Sequence, residues 1–252
     1  MKSLSGEPLQ KVRSAVYVAG WNNRQWAANK TYQRFLGTYR LDQNSGLYFS
    51  EGASAGKIAR VASCFLLLPK PLQARAILFN LTVSFCEGIT LAGNSSTFYA
   101  DFRQTDPRFI SPHVEIGSRS LKETHLLAHL THELSHLFYR SAQGAARGAW
   151  REMLSQFVLS PGNQVELTDY VHGIYLDWLA SKEEARRQDR PLDWLHVEHN
   201  FATYVEEAFC DTMSVLMLKS LGLEHPDALA ATTVNLAERS QALTTIFAIS
   251  LT

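Results

Sequence analysis

The fold of this chain turns on Ser118-Arg119-Ser120-Leu121-Lys122-Glu123-Thr124-His125-Leu126-Leu127-Ala128-His129-Leu130-Thr131-His132-Glu133-Leu134-Ser135-His136-Leu137-Phe138-Tyr139. Leu126, Leu127, Leu130, Leu134, Leu137 and Phe138 recur at helical spacing and give one buried face. Ser120 followed by Glu123 reads as a capping box that opens the helix. On the opposite side His132 and His136 lie four residues apart, about one turn, so both imidazoles can reach one ion. Zinc takes nitrogen ligands at about 2.0–2.1 Å, and a catalytic site uses three protein ligands with one position left for water. Glu133, next to the first histidine, is then placed to take a proton from that water. His125 and His129 share the same helix face and would line or support such a site.

Two histidines need a third donor. Asn200-Phe201-Ala202-Thr203-Tyr204-Val205-Glu206-Glu207-Ala208-Phe209-Cys210-Asp211 supplies it, with Asn200 expected as the N-cap of a helix. Adjacent helical residues point about 100° apart, so only one of Glu206 and Glu207 can face an ion. Glu207 is preferred because Asp211 falls on its face, where it can accept a hydrogen bond from a ligand histidine. Glu206 shares its face with Cys210.

Together, His132-Glu133-Leu134-Ser135-His136 and Glu207-Ala208-Phe209-Cys210-Asp211 resemble the HExxH…ExxxD pair of the gluzincins, the thermolysin-like zinc metallopeptidases. The resemblance covers two helices and assigns no narrower family. It implies Zn2+ held by His132, His136 and Glu207, with Glu133 as general base and Asp211 behind a ligand histidine. It also implies a zincin-like α+β fold, with a small mixed-sheet lobe, a mainly helical C-terminal lobe and a cleft between them. A strand beside that cleft would pair with an extended substrate, and His113–Gly117 is the strand expected to do so. About 70 residues separate the two motifs, enough for an inserted helical pair containing residues 167–187. The transition-state donor of the family, a His or Tyr, aligns with no motif here. Tyr204, Tyr170, His172, Tyr175, His196 and His199 are the residues available for it.

The rest of the chain accommodates this reading. One domain is expected over residues 1–252, with an N-terminal extension (1–56), an upper mixed lobe carrying the histidine helix (57–140) and a helical lower lobe (141–252). Helices are expected over 57–68, 150–159, 167–187, 201–221 and 227–249, with 141–148 as a loop. Residues 72–86 begin helix-like and end with strand-like alternation, and 97–102 and 113–117 read as strands. Gly52-Ala53-Ser54-Ala55-Gly56-Lys57 is one residue short of a phosphate loop and has Ile58 where Ser or Thr would hold magnesium. Aromatic residues scattered through 1–50 read as packing for a short-element segment.

Apolar residues make up 46% and charged residues 19%, the balance of a globular chain. The formal net charge is zero, which gives no electrostatic reason for a nucleic-acid or anionic-membrane partner. No apolar run approaches the ~20 residues of a membrane helix, and no secretory signal precedes the first elements. Cys64, Cys86 and Cys210 each sit in an apolar run and read as buried thiols, not a disulfide framework. The expected location is therefore cytoplasmic, or outside the cell by a route that needs no signal peptide. The expected activity is zinc-dependent endopeptidase action on a protein or peptide, with an effector or toxin as one form of it. A zinc hydrolase of a non-protein amide, or a non-catalytic zinc-stabilised binding protein, are the alternatives. Oligomeric state is left open.

Overall fold

The structure, a computed structural model, describes residues 39–88, 96–99, 113–159, 166–188, 191–229 and 235–249. The chain divides into two compact units, residues 1–141 and 142–252. It is mixed α+β, with the described strands all in the first unit.

The first unit contains strands β1 (Tyr39–Leu41), β2 (Tyr48–Ser50), β3 (Thr82–Cys86), β4 (Ser96–Tyr99) and β5 (His113–Gly117). Its helices are α1 (Ala55–Leu67), α2 (Lys70–Leu78) and α3 (Glu123–Ser141). Residues 39–50, expected in an N-terminal extension, instead supply two strands of the sheet. The aromatic segment over residues 1–38 lies outside the described residues. A turn joins β1 to β2, in which the Asp42 carboxylate accepts from the Ser45 N–H and hydroxyl and Gly46 takes φ +74°. That left-handed conformation suits glycine. Ser54 caps α1 by accepting from Lys57 N–H, so the stretch that fails the phosphate-loop pattern is a helix start. Residues 72–86 do change character: α2 ends at Leu78 and β3 begins at Thr82.

The sheet order is β1-β2-β3-β5-β4, with β2, β3 and β5 parallel and the two outer strands antiparallel. This corrects one expectation. His113–Gly117 is an interior strand, paired with β3 on one side and β4 on the other, so its backbone has no open edge for a substrate. Among the described residues β4 is the last strand on that side. The strand's own residues do not record which segments pair on either side of it, and the expectation rested on the resemblance alone. Its polar side chains are buried, with the two His113 ring nitrogens bonded to the Thr82 and Ser84 hydroxyls at 2.8 and 2.9 Å.

Helices α1 and α2 pack on α3, which also meets β4. Leu126, Leu127, Leu130, Leu134 and Leu137 are all buried, as their spacing requires. The capping box is absent. Ser118–Leu121 forms a 3-10 turn, Lys122 is extended, and Glu123 is the first residue of α3.

The second unit is built from α4 (Gly144–Leu159), α5 (Asp169–Gln188), α6 (Pro191–Ser220) and α7 (Leu236–Phe247). Helix α4 starts six residues before the expected Trp150, because Ala145 and Ala146 favour helix over loop. Helix α6 runs for 30 residues, about 45 Å. Pro191 opens it at the position where a missing N–H costs nothing. Asn200 is consequently mid-helix, its amide 3.3 Å from the His196 Nε2, and is no N-cap. Residues 208–215 are buried all round, the pattern of a central helix. Trp150 anchors α4 to α6 with its indole N–H on the Val205 carbonyl at 3.0 Å and its ring edge-on to Phe209 and Phe247. The last helix is shorter than expected: Asn235 in a left-handed conformation precedes it, and Ala228 instead bridges to Thr168.

Candidate metal and catalytic residues

On α3, His132 and His136 lie one turn apart with ring centroids at 5.1 Å and planes at 75°. A zinc–nitrogen bond of about 2.0–2.1 Å and a tetrahedral angle put two ligating imidazoles at about that centroid spacing. The pair thus fits one ion. His132 is half-buried, while His136 and Glu133 are each 7% exposed. The His125 and His129 rings are half-buried and 6.2 Å apart, two turns and one turn before His132.

A carboxylate this buried must be hydrogen-bonded. Glu133 Oε1 accepts from Ser96 Oγ at 2.7 Å, which ties the candidate base to the outer strand β4. The hydroxyls between the two histidine turns are otherwise occupied. Thr131 donates to Leu127 O and Ser135 to Thr131 O, both at 2.7 Å, so each is satisfied within its own helix.

On α6, Glu206 and Glu207 are half-buried, whereas Cys210 and Asp211 are buried. Asp211 Oδ2 accepts from the Thr168 hydroxyl, just before α5. One turn earlier, Tyr204 donates to Glu166 Oε1 at 2.5 Å, and Glu166 Oε2 meets Arg239 of α7 at 2.9 Å. Arg239 reaches Thr212 with its other terminal nitrogen. Burial by itself would lower the Arg239 pKa; Glu166, then Tyr204, outweigh it and the net shift is upward. The guanidinium therefore stays charged, and an ion pair this deep is kept by mutual compensation.

These contacts remove Tyr204 as a transition-state donor. Its side chain has no exposed surface and its proton is committed to Glu166; burial and then the Glu166 charge push its pKa up. The α5 residues differ. The Tyr175 hydroxyl and His172 Nδ1 are buried without a protein hydrogen-bond partner. Tyr175 packs tilted against the Tyr204 ring with centroids 5.6 Å apart, and burial followed by Glu166 raises its pKa, so it remains a proton donor through neutral pH. Tyr170, His196 and His199 are exposed.

The structure thus groups His132, Glu133 and His136 with Ser96 in the first unit; in the second it ties Asp211 to Thr168 and Tyr204 to Glu166 and Arg239, with Glu207 half-buried on α6 between them. Ser96, Thr168 and Glu166 carry no motif in the sequence. Arg239 did leave a trace: it occupies a position on the apolar stripe Leu236–Leu243–Phe247, where an arginine calls for a buried carboxylate.

No protein-family profile matches the chain, and searches of curated proteins and of solved structures return no match. Among the described residues no helix is long and apolar enough to cross a membrane.

Proposed function

We propose that this protein is a zincin-like, zinc-dependent peptidase in which His132, His136 and Glu207 hold the ion. Glu133 is the general base, and Asp211 orients a ligand histidine. The observation that carries this reading is the α3 group: two imidazoles at a spacing suited to one ion, beside a buried carboxylate fixed by Ser96. A structural zinc site closes with a fourth ligand and has no use for a base at that position. Bound there, zinc would supply a Lewis acid that lowers the pKa of water and polarises the scissile carbonyl.

The protein's own groups do the rest. With Oε1 of Glu133 held by Ser96, the proton of the attacking water goes to Oε2 and from there to the leaving amine. Among the tyrosines named as donors, Tyr175 has a protonated hydroxyl that no protein group uses, and a movement that exposes it would let it share the charge on the carbonyl oxygen. An extended peptide would pair with β4, the strand that also carries Ser96.

The test is a cleavage screen of the zinc-loaded protein against mixed peptide and simple-amide libraries, with Glu133→Gln as control. Cleavage of peptides that vanishes in the control supports the peptidase reading. Cleavage confined to non-peptide amides would move it to another hydrolase class, and no turnover with zinc bound would leave a binding protein.

A further inference from the structure

Residues Glu166, Leu167 and Thr168 grip α6 on both sides of Glu207. Tyr204, one turn before Glu207, donates to Glu166, and Asp211, one turn after, accepts from Thr168. The segment is itself anchored twice: Arg239 of α7 pairs with Glu166 at 2.9 Å, and the Leu229 N–H donates to Leu167 O at 3.0 Å, the bond that bridges Thr168 to Ala228. Thr168 Oγ1 also accepts the Val171 N–H at 3.3 Å in the first turn of α5. With that acceptance made, the hydroxyl proton is directed to Asp211.

Burying this many polar side chains is a poor way to hold a helix. Well-packed apolar residues of similar volume often do so equally well or better. What a polar group adds is direction: it fixes where a carboxylate points, to the roughly 0.5 Å and 10–20° that ligand geometry needs. We infer that residues 166–168 are a clamp that sets the position of the Glu207 and Asp211 face of α6, with Thr168 the positioning residue for Asp211. Its geometry stands on the contacts within the second unit; its consequence for zinc rests on the reading above. The clamp follows directly on residues 141–165, within the long separation between the two motifs.

The experiment compares wild type, Thr168→Val and Thr168→Ser by two readouts. One is zinc affinity by chelator competition; the other is amide hydrogen exchange over residues 204–211 in the zinc-free protein. Thr168→Val should bind zinc about tenfold more weakly, and Thr168→Ser should restore the affinity. Exchange over 204–211 should quicken in Thr168→Val and return in Thr168→Ser. Equal zinc affinity in all three, or equal loss in both variants, overturns the positioning role. If wild type takes no zinc while exchange still responds, the zinc reading fails and the segment is a brace alone. If neither readout responds, the clamp itself is refuted.

Discussion

Helix α3 and helix α6 carry the two halves of the proposed chemistry in different ways. On α3 the functional groups are consecutive or one turn apart, and one hydroxyl from the sheet holds the base. On α6 the Asp211 carboxylate accepts from a separate segment, which is held in turn by an ion pair to α7. The first arrangement is local and the second is tertiary. A local site fails one residue at a time, whereas a tertiary one couples zinc binding to the stability of the whole second unit.

The largest effect that would sharpen this contrast is Glu133→Gln. It should lower turnover by about 10²–10⁴-fold with zinc content unchanged, since the amide keeps the shape but not the base. Steady-state kinetics on the metal-loaded variant would check it, and wild-type turnover would remove Glu133 from the mechanism.

Next comes Arg239→Met. Removing one partner of a buried pair leaves Glu166 uncompensated, so urea unfolding should show a loss of about 3–5 kcal/mol. The double variant Glu166→Leu/Arg239→Met should recover much of that loss while still binding zinc less well than wild type. A double variant with full stability and full affinity would mean that the second unit has no need of a polar anchor.

On the α3 side, Ser96→Ala should be milder. It removes a single hydrogen bond to a charged group, about 1.5–3 kcal/mol in transition-state energy, and should lower kcat without changing zinc affinity. Equal loss of zinc would show that α3 is as coupled as α6.

The smallest effect concerns Cys64 in α1. Burial, with Glu123 nearby, raises its thiol from 9.0 to about 11. Alkylation by iodoacetamide at pH 8 should therefore be slow compared with the unfolded chain. Because the folded form holds the proton more tightly, this contribution to stability is complete below pH 9 and disappears as pH rises towards 11. Rapid alkylation of the native protein at pH 8 would contradict the burial.

How far this was readable from sequence follows the same division. Helical periodicity gave α3 and its leucine face because every signal lay within one element. It also placed the Glu207 region in a helix, but Asn200 suggested a start ten residues late, since a good N-cap residue can equally sit mid-helix when tertiary packing extends the helix past it. Strand order was hidden for a different reason. The residues of His113–Gly117 mark a strand, but its place between β3 and β4 comes from pairings with distant segments that its own residues do not record. Of the clamp only Arg239 left a trace, on the apolar stripe of α7; its partners were hidden because Glu166, Tyr204 and Arg239 meet only through the chain's return across the second unit.

The most direct measurement is the zinc content of the purified protein by elemental mass spectrometry, for wild type, Glu207→Ala and Glu206→Ala. The account predicts one zinc per chain in wild type and in Glu206→Ala, and its loss in Glu207→Ala. Zinc retained in Glu207→Ala and lost in Glu206→Ala would move the third ligand to Glu206, and a wild type that takes up no zinc would contradict the account at its root.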